Sequence, residues 1–407
     1  MHYSPDSPSP LSAVIALVLS DESLQRRLGA IEVSDAFVAA VLELSVAHAI
    51  VLDPEAVRQA IRPDPLGISR WMPSPVTLDR WPTCGWLPAY SVPTGGVPAL
   101  DWAWFGSERL ADPFFVETVQ RVASRPLSLM LRTRTSLEAL AGDDATRGPE
   151  PAGFIYHMSR CGSTLVAQTL AADPANIVLS EPEPFDGVLR WAVESGAPLD
   201  EQIRAVRTVA AALGRDRSGT TRRVFFKLDS WLTAALPLLR AAFPDTPWVF
   251  VYRDPIEVLV SQANARGIHT VAGALPISLF AIPDAERLPA DEHAAHMLVR
   301  ASEAVLDHWR LGGGLLVDYR EMPDAIVDRI APHFGFVPDP VEAAAMRAAA
   351  TRNAKVPTKT FIPDTAGKRA AATPELWDAA RLVAPVHARL AALRRDSMMR
   401  DVAVTQR

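Results

Sequence analysis

At 407 residues, 49% hydrophobic and 22% charged, the chain is too long for one ordinary domain and too apolar for general disorder. A net charge of −6 counts against nucleic-acid binding, which depends on neutralising many phosphates, yet leaves room for a small anion held by a few local arginines. Cys84 and Cys161 are the only cysteines, so a disulfide framework is excluded and a reducing cytoplasm is the expected compartment. No apolar run reaches the roughly eighteen residues of a bilayer crossing, and the run 11–19 lacks the basic flank of a signal peptide.

Residues 11–62 predict helices. Phe37, Val41, Leu44 and His48 recur at three- and four-residue steps behind Ser34 as a cap, and Asp53-Pro54 opens a further short helix. Between positions 63 and 98 stand eight prolines, and five tryptophans fall between Trp71 and Trp104. Because tryptophan seeks burial, this predicts an irregular segment packed over a domain rather than a linker. A helix follows near 112–123, and 141–151 reads as a boundary loop. The expected organisation is a helical segment (1–62), a Pro/Trp-rich segment packed on the core (63–150) and an α/β domain (151–407).

After residue 151, short apolar runs at 154–158, 177–179, 224–226, 248–252 and 315–319 alternate with helical patterns. That alternation predicts an α/β fold with a parallel sheet flanked by helices. The tail 341–394 reads as helical with an irregular interruption at 352–368, so helical additions are expected at both ends of the chain.

The first of these strands runs into Ser159-Arg160-Cys161-Gly162-Ser163-Thr164 and then a helix. A small-residue turn between strand and helix aims backbone N–H groups at one point beside the positive helix end. Arg160 and the hydroxyls of Ser163 and Thr164 complete an anion cradle, against the plainer alternative of a strand-to-helix turn. Cys161 is either a thiol activated by Arg160 or a small residue that fits. The loop lacks the Gly-Lys-Ser/Thr of the Walker A pattern. At the fourth strand end, Arg253-Asp254-Pro255 opens a helix that carries Ser261 almost two turns along, so Arg253 and Ser261 can bracket a second anion. His293 and His296 are three apart on a helix, but no third metal ligand accompanies them.

Taken together, Arg160-Cys161-Gly162-Ser163-Thr164 and the Arg253–Ser261 pair resemble the sulfotransferases that use 3′-phosphoadenosine 5′-phosphosulfate. The resemblance spans about 153–319 and implies a P-loop NTPase-like domain. It also implies the first loop as the 5′-phosphosulfate site and Arg253 with Ser261 as the 3′-phosphate site. It carries three further positions over: Glu181 as catalytic base, Lys227 beside the transferred sulfonate, and Tyr319 near the nucleotide. Glu183 is an ambiguity beside Glu181. Asp229 stands where the cytosolic enzymes have a histidine and is the alternative base, expected in an ion pair with Lys227. Arg160, Glu181, Lys227, Arg253 and Tyr319 all fall at or just past predicted strand ends, where open α/β sheets bind ligands.

The expected activity is transfer of a sulfuryl group to a hydroxyl of a small-molecule or peptide acceptor. No metal is expected, because basic side chains suffice for a group less charged than phosphoryl. Lys355, Lys359 and Lys368 are either a closing segment over the nucleotide or solvated loop charge. The alternatives are a P-loop kinase and a nucleotide-binding protein without sulfotransferase activity. Residues 1–62 resemble, over about fifty positions carried by Leu24, Leu28, Phe37, Val38, Ala47, His48 and the Val57–Ile61 stretch, the Nif11 family of leader-like helical segments. That second resemblance implies a peptide or protein partner.

Overall fold

The computed structural model describes residues 9–63, 74–141, 148–274, 280, 282, 284–356, 358–360 and 364–405. Trp71 and most of the expected boundary loop lie outside them. The chain divides into two compact units.

The first unit comprises Met1–Arg109, Val116–Gly148 and Ala211–Gly219. Its helices Pro10–Ser20, Glu22–Gly29, Ser34–Ala47 and Pro54–Ala60 follow the apolar periodicity, burying Phe37, Val41 and Leu44. Asp53 caps the last of them through Glu55 N–H. Ser34 does not cap: it is already the first helical residue, behind Val33, which offers no side-chain oxygen.

The Pro/Trp-rich segment, expected to be irregular, forms strands β1 (Val76–Leu78), β2 (Trp86–Val92) and β3 (Ala99–Trp104). With β4 (Thr133–Ser136) they make a four-stranded sheet in the order β1-β4-β3-β2. Proline is tolerated because the β2–β3 register shifts between Pro88 and Tyr90, where the missing N–H falls at a bulge. The described tryptophans Trp81, Trp86, Trp102 and Trp104 are all buried in and around that sheet. Trp86 and Trp104 meet edge-on at 5.6 Å between ring centroids, and buried Arg215 lies over Trp81 and Trp102. Helix Glu22–Gly29 belongs to the same packing. Gln25 Oε1 accepts from Trp86 Nε1 at 3.0 Å, and a Cβ added to Gly29 would stand 2.1 Å from Trp104 Nε1.

The second unit comprises Leu110–Phe115, Pro149–Ala210 and Thr220–Arg407. Its five strands, β5 (Pro151–His157), β6 (Asn176–Ser180), β7 (Arg223–Lys227), β8 (Trp248–Tyr252) and β9 (Gly314–Asp318), are all parallel in the order β6-β7-β5-β8-β9. Every residue of β8 is buried, as are the last five of β5, so both faces of the sheet centre are covered and the strands read as unbroken apolar runs. The fold is thus the expected P-loop-like α/β sheet flanked by helices. Chain order places β5 in the middle, with β6 and β7 to one side and β8 and β9 to the other. The crevice beyond its carboxyl end is therefore the topological switch point where such sheets hold ligands.

Candidate active site

Beyond β5 the chain turns sharply through Met158 to Gly162 before the helix Ser163–Leu170 begins. Three residues of the turn take left-handed backbone, Ser159 (φ 72°), Arg160 (φ 49°) and Gly162 (φ 96°). Such a run costs free energy unless the surroundings fix it. Gln262, fully buried, does part of the fixing: its Nε2 donates to Ser159 Oγ at 2.8 Å. Gly162 is required twice over, because a Cβ there would also stand 2.7 Å from Tyr319 Cδ2. Ser163 and Thr164 open the helix and line a cavity of about 380 Å³ together with Arg160, Glu181, Lys227, Asp229, Arg253, Ser261 and Tyr319.

Cys161 does not behave as a reactive thiol. Its Sγ lies 3.0 Å from Val251 O, and burial pushes the thiol up to about 12. Arg160 has no acidic partner among the described residues. Its Nε donates to Ser261 Oγ at 3.0 Å, and burial lowers its pKa, the mark of a cation short of counter-charge.

Sheet register assembles the next group. Lys227 pairs with Ile155 on one side and Ser180 on the other, so Glu181, one residue beyond β6, donates its backbone N–H to Lys227 O at 2.7 Å. Glu181 is itself left-handed (φ 54°), which turns its side chain back onto the strand end. Lys227, only 1% exposed at the close of an apolar strand, donates from Nζ to Glu181 Oε1. His157 ends β5 with Nε2 3.4 Å from the same carboxylate oxygen. Because His157 Nδ1 accepts the Ser159 N–H at 3.0 Å, the neutral ring carries its proton on Nε2, toward Glu181. Burial, then Lys227, lowers the His157 pKa and keeps the ring neutral. Burial alone would raise Glu181, but Lys227 and His157 outweigh it and hold the carboxyl far below its usual range.

The expected ion pair of Lys227 with Asp229 is not formed; among the described residues the lysine is paired with Glu181. Burial and the nearby charges of Glu181 and Asp186 push Asp229 well above the ordinary carboxylate range. Asp186 is held by Trp231 Nε1 and Arg190 Nε, each at 2.7 Å, and so fixes Trp231 as a wall of the cavity. Glu183, the other carboxylate of the turn, begins the helix Glu183–Glu194 and does not line the cavity.

The third group follows from the β8–β9 register, in which Tyr252 pairs with Asp318, so the next residues on each strand, Arg253 and Tyr319, emerge side by side. The Arg253 guanidinium stacks 3.9 Å from the Tyr319 ring centroid. Its nitrogens are committed to carboxylates: Nε donates to Glu257 Oε2 at 2.6 Å and Nη2 to Asp364 Oδ1 at 2.7 Å. Asp254 caps the helix Pro255–Asn264, which carries Ser261 toward Arg160 rather than Arg253. The two predicted anion elements are therefore brought to one cavity but are cross-connected.

Of the three tail lysines, Lys355 and Lys368 reach the cavity and Lys359 does not. Lys355 Nζ lies 5.8 Å and Lys227 Nζ 5.1 Å from the centroid of one ring, Phe114. Lys355 is exposed as a residue, but desolvation at the cavity and the neighbouring Arg160 and Lys227 bring its ammonium down to about 8. Sequence reasoning missed His157, Gln262, Phe114, Asp186, Trp231 and Asp364. None sits in a motif, though His157 falls one residue before the end of a predicted strand and so carried a positional signal. His293 is buried with Nδ1 3.2 Å from Thr270 O, whereas His296 lies 3.8 Å from Glu292, so the two have separate partners.

No family model matches the chain, and no curated protein is similar to it in sequence. Its structural neighbours are bacterial sulfotransferases. One is a sulfotransferase from Mycobacterium avium at 16% identity, covering 55% of this chain and 76% of that one with a TM-score of 0.36. Another is the sulfotransferase domain of the Synechococcus PCC 7002 olefin synthase, at 15% identity, covering 59% and 96% with a TM-score of 0.35. A third, from Mycobacterium tuberculosis H37Rv, has 16% identity, covering 53% and 76% with a TM-score of 0.35. At that level of likeness the weight falls on the site's own residues. Among the described residues no helix is long and apolar enough to cross a membrane.

Proposed function

We propose that this chain transfers a sulfuryl group from 3′-phosphoadenosine 5′-phosphosulfate to an acceptor hydroxyl. The observation that carries the reading is the left-handed turn beyond β5, whose Arg160 lacks an acidic partner among the described residues, set in one cavity with the Lys227–Glu181 pair. The cradle fits an anion: Arg160, Ser163 and Thr164 line one cavity at the start of the helix Ser163–Leu170, where the first backbone N–H groups have no helical acceptor. Bound there, the donor supplies an activated sulfuryl group and a phosphate leaving oxygen.

Residues 160–164 would hold the 5′ end of the donor, and Arg253 the 3′-phosphate, with Tyr319 fixing the guanidinium plane. Lys227 and Arg160 place positive charge where negative charge grows as the sulfur–oxygen bond breaks. Glu181 is ionised at rest and accepts the acceptor's hydroxyl proton as Lys227 turns its ammonium toward the sulfonate. Burial and the charges of Glu181 and Asp186 favour the protonated form of Asp229, which counts against it as the resting base. Phe114 and Trp231 give the acceptor apolar walls, which suits a small molecule or a side chain presented by a peptide. The Nif11-like helices at the N-terminus fit the peptide case.

The test is incubation with the donor in EDTA, following formation of adenosine 3′,5′-bisphosphate with water or added alcohols as acceptors. Turnover of the donor without a divalent cation is expected. Turnover of ATP with Mg²⁺, the phosphosulfate remaining untouched, would establish a kinase or nucleotide hydrolase instead.

A further inference from the structure

Arg253 is 4% exposed, and a guanidinium so placed needs counter-charge. Glu257, in the first turn of the helix that follows, already supplies one carboxylate at 2.6 Å. The second comes from a residue 111 positions away: Asp364 bridges Arg253 Nη2 at 2.7 Å and Lys368 Nζ at 2.8 Å. A carboxylate gripped by one guanidinium and one ammonium has the partners of a bound phosphate. Two features separate this contact from ordinary packing. The Asp364 side chain is 48% exposed at the cavity wall, whereas Glu257 is 6% exposed. Asp364 also stands at the N-cap of the helix Thr365–Ala370, a position where aspartate usually caps, yet its carboxylate makes no capping bond. The helix is tethered independently, by Thr365 Oγ1 to Glu257 Oε2 at 3.1 Å and by Arg369 to Asp254.

We propose that Asp364 is an internal competitor that occupies the 3′-phosphate seat, bridging Arg253 and Lys368 until a 3′-phosphorylated nucleotide displaces it. The proposal rests on the donor reading above and adds a specificity device to it. A 3′-phosphate, with more charge and one more oxygen than a carboxylate, displaces Asp364 and takes over both cations. A 3′-hydroxyl brings no charge and leaves the contact closed. Glu257 remains in place in both states and keeps Arg253 oriented.

The experiment is calorimetric titration of the full chain and its Asp364→Asn and Asp364→Glu variants with adenosine 3′,5′-bisphosphate and with adenosine 5′-phosphosulfate. Loss of one charge-assisted competitor should tighten the bisphosphate about tenfold in Asp364→Asn and leave the phosphosulfate within about twofold. Asp364→Glu, which keeps a carboxylate in reach, should stay near wild type. Wild-type binding of the bisphosphate that Asp364→Asn leaves unchanged or weakens overturns the proposal alone. Absence of bisphosphate binding in all three proteins overturns the donor reading, and the proposal with it.

Discussion

Arg160 and Arg253 stand at the carboxyl end of the same sheet in opposite electrostatic states. Among the described residues, Arg160 bonds only the neutral oxygens of Ser261, at 3.0 and 3.4 Å. Arg253 is neutralised by Glu257 and Asp364. The first is a standing positive charge whose desolvation no acid offsets, so any anion of the right size is welcome. The second is an exchange site, where an incoming anion must outcompete one the chain already provides. The same contrast divides the lysines: Lys227 is paired with Glu181, while Lys355, near Arg160 and Lys227, has no ion pair among the described residues. On the proposed function, one end of the cavity serves general anion capture and the other discrimination, with the transfer chemistry at the Lys227–Glu181 pair.

The largest effect should come from removing the base at that pair. Glu181→Gln keeps volume and hydrogen bonding but removes the basic oxygen, and should lower kcat by about two to four orders of magnitude with donor affinity near wild type. Asp229→Asn should cost much less, because an amide mimics the protonated acid that the raised pKa favours at rest. Single-turnover kinetics on both variants decides the assignment. A fully active Glu181→Gln with an inactive Asp229→Asn would move the base to Asp229 and leave the anion sites as they are.

A smaller effect follows from Lys355. Its pKa of about 8 means that the ammonium is present below that pH and is lost as pH rises through it. Donor affinity at the Arg160 end should therefore fall several-fold between about pH 7 and 9, an effect on the scale of one surface-accessible charge. Lys355→Arg, which does not titrate there, should flatten the profile, while Lys355→Gln should give the high-pH affinity throughout. A wild-type profile already flat across that range would remove Lys355 from the cradle.

Much of this site was legible because its parts are local. The Arg160–Thr164 turn lies within one strand–helix junction, and Arg253 follows, and Tyr319 closes, an apolar run whose end could be read directly. What escaped depends on contacts that sequence spacing does not encode. Asp229, two residues after Lys227, looked like its partner, but parallel register delivers Glu181 from 46 residues away instead. The Pro/Trp segment looked irregular because its many prolines argue against strands, whereas Pro88 is accommodated on the edge strand β2, beside a bulge. Asp364 carries no motif; its significance arises when the tail returns to β8.

The most direct test of the contrast between the two arginines is a pair of titrations in EDTA, with adenosine 3′,5′-bisphosphate and with adenosine 5′-phosphosulfate, on wild type, Arg160→Ala and Arg253→Ala. The account predicts that wild type binds both ligands. Arg160→Ala should weaken both by about 1.5–3 kcal/mol, and Arg253→Ala should weaken the bisphosphate by a similar amount while sparing the phosphosulfate. Equal losses for both ligands in Arg253→Ala, or binding of ATP with Mg²⁺ in place of the bisphosphate, would contradict it.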